Sequence, residues 1–238
     1  MNLKFFIRKI KMSSKRKLEN KYDYMLSLGY NCEVTFRFHK YFNFEETSLF
    51  NWTYSKSIDD LINVLNNLDE IGSLGFKEPN PLYKCIKTNY LFHGKMKWKN
   101  IKDNPELIEK DTKDLKERIA YLSEKFIKVL SSEKRKLYIY KVKNDDITDE
   151  ILEKISILKD TLKKLGGKNF DLLIISEEKY SEKFKNIEEV IYRSVKYFAP
   201  DKEVTSKKYL ENGWNEIFDE FYTDKPKGYK KNKKYKFE

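Results

Sequence analysis

The second half of the chain alternates between two periodicities, and that alternation limits the folds open to it most. Residues 137–142, 170–176 and 187–195 are short runs rich in β-branched, aromatic and other apolar side chains, the length and composition of strands. Residues 148–165 carry apolar positions at helical spacing and stop at Gly166-Gly167. Pro105 opens a helix running to residue 130, striped by Leu115, Ile119, Leu122 and Phe126. Asn212 caps a last helix, 212–222, whose inward side is Trp214, Ile217, Phe218 and Phe221. Strands that take turns with helices build a mainly parallel sheet covered on both faces. The expected fold is α/β, a three-layer sandwich around a Rossmann-like central sheet.

The first half supplies the start of that sheet. Residues 24–28 form a short apolar run ended by Gly29. Asn31 caps a helix running to about residue 41, and the capping box Ser57-Ile58-Asp59-Asp60 opens another to about residue 67. Residues 71–102 resist assignment, because Gly72, Gly75, Pro79 and Pro81 interrupt any period. Their aromatics fit either short strands or an ordered loop. One α/β domain over residues 23–224 follows, with a basic N-terminal extension, 1–22, and a Lys/Tyr-rich tail, 225–238, expected to be disordered.

Charge sharpens this division. The chain carries +11 overall, but residues 1–22 hold +7 and residues 225–238 hold +6, leaving the body at −2. Basic residues gathered at the ends, without a folded platform of stacking aromatics, do not predict specific nucleic-acid binding. Residues 1–12 interleave Phe5, Phe6, Ile7 and Ile10 with basic side chains, a pattern suited to weak contact with an anionic surface. Two Cys and two His rule out a Cys/His-rich zinc site, and Cys32 and Cys85 lack CxxC spacing. A reducing, cytoplasmic setting is therefore the default expectation. No apolar run approaches membrane-spanning length, and neither dinucleotide nor P-loop glycine motifs occur, so no cofactor is expected. Asp145-Asp146 precedes a helix start and reads as N-terminal acids rather than a metal site.

In an open α/β sheet, chemistry gathers where a strand's carboxyl end turns into a helix. The first such turn is Ser27-Leu28-Gly29-Tyr30-Asn31-Cys32. Gly29 permits the bend and Cys32 enters the first helical turn, where the helix dipole and free N–H groups favour a thiolate. A nucleophilic Cys needs a base, and His39, about 10 Å farther along the same helix at ~1.5 Å per residue, is badly placed. That leaves His93, in Phe92-His93-Gly94. Asn51, in Leu49-Phe50-Asn51-Trp52, is of the type that holds an imidazole in one tautomer, with Trp52 as an apolar wall for substrate. Backbone N–H groups near Asn31 and Cys32 would receive an oxyanion.

Ser27-Leu28-Gly29-x-x-Cys32, then Phe50-Asn51-Trp52, then Phe92-His93, resembles the pattern of a bacterial and viral domain family of unknown function described as papain-like cysteine peptidases. The resemblance runs from about residue 22 to residue 222, takes in the basic helix around Arg118 and the Trp214 helix, and is most specific in its first motif. It implies a cysteine peptidase or hydrolase acting on a peptide, amide or ester. Cys32 would be the nucleophile, His93 the base and acid, and Asn51 the orienting residue. Two positions depart from the family pattern: Asn51 stands where it has Asp, and Gly94 follows the histidine where it has Asp. These departures motivate an alternative, a catalytically weakened binding module of the same fold. A glycan-modifying transferase on this scaffold is a third reading.

Overall fold

The computed structural model describes residues 22–42, 48–73, 75–77, 81–144, 147–184, 190–204, 206 and 212–221. Both basic ends fall almost wholly outside these residues, as do Asp145 and Asp146. Among the described residues no helix is long and apolar enough to cross a membrane.

Four parallel strands form the central sheet: β1 (Tyr24–Ser27), β6 (Lys136–Lys141), β7 (Phe170–Glu177) and β8 (Ile191–Val195), hydrogen-bonded in that order. The strand order runs in one direction from β1 at the edge. Side chains alternate across the sheet with period two, so each strand feeds two cores. Leu26, Tyr138, Tyr140, Leu172 and Ile174 face α2 (Ile58–Leu65), α4 (Pro105–Ser131) and α5 (Ile151–Lys164). Met25, Leu137, Ile139, Leu173 and Ile175 face α1 (Glu33–Phe42) and α7 (Trp214–Phe221), which contribute Val34, Phe38, Trp214 and Phe218. Helices on both faces of a parallel sheet make the expected three layers.

Residues 71–102 hold three short strands, and a fourth precedes them in the chain. β2 (Thr53–Tyr54), β3 (Phe76–Lys77), β4 (Tyr83–Cys85) and β5 (Leu91–Phe92) form a second, antiparallel sheet in the order β2-β5-β4-β3. Tyr83, Cys85, Tyr90 and Phe92 join the same core as α2, α4 and α5. A one-turn helix, α3 (Trp98–Ile101), leads into α4; another, α6 (Ser181–Phe184), lies between β7 and β8.

Helix ends follow local chemistry. Ser57 accepts the Asp60 N–H at 3.3 Å, while the Asp60 carboxylate accepts the N–H of Lys56 at 2.9 Å. Asn104 accepts the Leu107 N–H at 3.1 Å ahead of Pro105. The last helix starts at Trp214, two residues later than Asn212, because Gly213 takes φ +108°.

Candidate active site

The Cys32 turn is built at the carboxyl end of β1. Leu28 extends the pairing by donating its N–H to the carbonyl of Ile139 at 2.9 Å, and the Ser27 hydroxyl accepts the Gly29 N–H at 3.1 Å. The chain then reverses through two left-handed residues, Gly29 at φ +91° and Tyr30 at φ +68°. A Cβ at Gly29 would stand 2.4 Å from the Tyr90 hydroxyl, so the position demands glycine twice over. Tyr30 pays for its unfavoured backbone with its surroundings. Its carbonyl accepts the Ser55 N–H at 2.9 Å, and its ring lies 5.7 Å from that of Tyr54 and 4.8 Å from the Lys141 ammonium.

Asn31 caps the helix as expected, accepting the Glu33 N–H at 3.0 Å, and its amide donates to Asp201 at 2.7 Å. Helical structure begins at Glu33, which puts Cys32 at the N-terminal boundary, its carbonyl accepting the Phe36 N–H at 3.0 Å. The half-buried thiol donates toward the Thr53 carbonyl at 3.8 Å and lies 3.9 Å from Nε2 of His93. Two side chains 61 residues apart thus meet at contact distance.

The expected thiolate is not what this environment favours. Burial, ahead of the negative charge of Asp201, pushes the Cys32 pKa up to about 11. The loss of hydration outweighs what the helix terminus offers, and at neutral pH the sulfur carries its proton. His93 moves in the complementary direction: partial burial, and then the Arg118 guanidinium, hold it below its ordinary 6.5. The residue as a whole is exposed. At neutral pH the site holds a thiol beside a neutral imidazole, and in the Nδ1–H tautomer Nε2 has a lone pair for the thiol proton.

His93 follows β5 directly. Its N–H donates to the carbonyl of Trp52 at 3.2 Å, prolonging the β2–β5 pairing, and its carbonyl accepts from the Arg118 guanidinium. Asn51 is buried in the turn before β2, with its N–H on the Ser48 carbonyl at 3.2 Å. Trp52 is half-buried, edge-on to Phe36 at 5.1 Å and to His39 at 5.7 Å. His39 is therefore engaged with Trp52.

Behind the turn lies a buried ionic cluster that sequence reasoning missed. Glu33, fully buried, accepts from Arg37 at 3.1 Å, the Ala199 N–H at 3.1 Å and the Trp214 indole at 3.3 Å through Oε1, and from Lys141 at 2.6 Å through Oε2. The Lys141 ammonium also sits 4.3 Å from the Phe198 ring. The available clue was a lysine ending an otherwise apolar strand, which usually marks a solvated strand end. Compared with family models, curated proteins and solved structures, the chain matches none.

Proposed function

We propose that this protein is a cysteine-dependent hydrolase of an amide or ester, peptides included, with Cys32 as nucleophile and His93 as base and acid. The observation that supports it most is the 3.9 Å approach of Cys32 Sγ to His93 Nε2 at a strand-to-helix turn. Because the thiol is protonated at rest, attack and proton transfer go together. The sulfur forms a bond to the carbonyl carbon, its proton passes to His93 Nε2, and the carbonyl π electrons move to oxygen. The Cys32 N–H beside the helix start is the candidate donor to that oxyanion. Collapse breaks the C–N or C–O bond, with the leaving group taking the proton from His93. Water, deprotonated by His93, then attacks the thioester, and the sulfur departs and regains its proton. Trp52, edge-on to Phe36, would offer substrate an apolar wall, and Asn51 holds the turn that delivers the Thr53 carbonyl.

The test is acylation of the full chain by p-nitrophenyl acetate, followed by nitrophenolate release and intact mass. The expected result is a Cys32 acyl adduct that is lost in Cys32→Ala and forms about 100-fold more slowly in His93→Ala, in line with what a positioned base contributes. Turnover that survives Cys32→Ala overturns the proposal. A wild-type chain that never acylates supports the binding-module alternative instead.

A further inference from the structure

Resting on the reading of His93 as the base, the geometry points to Asp111 as the residue that positions it. Asp111 lies within α4 and is fully buried. Its Oδ1 accepts the backbone N–H groups of Lys95 at 3.0 Å and Met96 at 3.1 Å, and its Oδ2 accepts the Tyr83 hydroxyl at 2.9 Å. Seven residues along the helix, close to two full turns, Arg118 donates to the His93 carbonyl. One helix therefore grips the chain at His93 through a donor and just beyond it through an acceptor. An exposed ion pair between Lys95 and Asp114, 3.7 Å, runs in parallel and adds little.

Gly94 supplies the independent observation. A Cβ there would stand 2.2 Å from Asp111 Oδ2 and 2.7 Å from a Tyr83 ring carbon. The carboxylate has taken the space that a side chain at position 94 would fill, and it can do so only because that residue has none. A buried carboxylate inside a helix is poorly placed by propensity and is tolerated when hydrogen-bonded. Here its three donors all belong to β4 or to the segment directly after His93. His93 is an exposed residue, so its place against the thiol depends on where the backbone holds it. A 1 Å error in such a pair is worth about 100-fold in rate.

The experiment follows acylation of Cys32 by p-nitrophenyl acetate, together with NMR titration of the His93 ring, assigned with His39→Gln. The titratable and charged groups against the ring are Cys32 from the start of α1 and Arg118 from α4, with Asp111 and Asp114 behind the guanidinium. In Asp111→Ala, acylation is expected to slow about 10- to 100-fold, and the His93 titration to move up toward 6.5 as the loop leaves Arg118. Asp111→Asn keeps an acceptor for the two N–H groups and recovers most of the rate. A folded Asp111→Ala chain with wild-type acylation and wild-type titration overturns the assignment. Should that variant not fold, Gly94→Ala, which pushes the loop off the same carboxylate, must show the same two changes, and its silence overturns the assignment equally. If His93→Ala acylates as fast as wild type, it is the base reading that fails, and the titration alone then decides whether Asp111 holds His93.

Discussion

Replacing Lys141 with Met tests the ionic cluster that supports the Cys32 turn. Met fills much of the same volume, so the change is chiefly electrical. Glu33 and Lys141 are essentially without solvent exposure, and their 2.6 Å contact is one of four that the carboxylate accepts. Removing one partner of a buried pair costs about 3–5 kcal/mol, since the other charge stays behind uncompensated. Arg37 remains on Glu33 at 3.1 Å, which places the expected loss at the low end, about 3 kcal/mol. Loss of the ammonium over the Tyr30 and Phe198 rings adds about 0.5–1 kcal/mol. Against a total stability of about 5–15 kcal/mol, that is a large fraction. The assay is urea unfolding at pH 7 of wild type, Lys141→Met, Glu33→Gln and the double variant. The cycle should return a coupling of about 2 kcal/mol or more, because the double variant leaves no unpaired carboxylate. A Lys141→Met chain within about 0.5 kcal/mol of wild type, the range of ordinary surface changes, refutes the reasoning.

Three further outcomes are expected. Iodoacetamide should label Cys32 more slowly than free cysteine at pH 7, the rate climbing toward pH 11, because the sulfur keeps its proton until then; fast labelling, flat from pH 5 to 8, would mark a thiolate–imidazolium pair and contradict the buried neutral thiol. The pH profile of kcat/KM should fall only below pH 6.5, as protonation of His93 removes the base, and Arg118→Gln should move that limb upward by removing a charge that disfavours the imidazolium; a limb unmoved by the substitution counts against the guanidinium's role. Gly29→Ala meets both a φ of +91° and the Tyr90 hydroxyl at 2.4 Å, and should lower stability by about 1–3 kcal/mol; Tyr90→Phe should restore the steric share alone, and a neutral Gly29→Ala by thermal unfolding would show that the turn relaxes.

Much of the central sheet could be read from the chain, since runs such as 137–142 and 170–176 are long enough to declare a period. The antiparallel sheet could not. Its strands have two or three residues, and Thr53–Tyr54 or Phe76–Lys77 cannot show alternation. Cys32 was legible from its turn, and His93 by elimination, because only two histidines exist. The state of the thiol was not legible. It depends on burial and on the charge of Asp201, far along the chain, whereas the helix-end argument sees only neighbours. Asp111 carried no signal in the sequence, and Arg118 stood out only through the basic helix of the resemblance, because nothing in their spacing shows that the loop after β5 rests on them. Lys136 and Lys141 bracket their strand as solvent-facing ends would, yet both are buried.

The two reactive side chains are carried by different sheets. Cys32 hangs from the edge strand of the parallel sheet, whereas His93 and the Thr53 carbonyl belong to the antiparallel one. The 3.9 Å gap is therefore a seam between two sheets that share one core, and its width reports how they pack together. Near the thiol the seam is fastened by the Ser55 N–H on the Tyr30 carbonyl and by Tyr90 lying under Gly29. Substitutions there, touching neither sulfur nor imidazole, would widen or narrow the gap, much as a hinge pin sets the closing of a jaw.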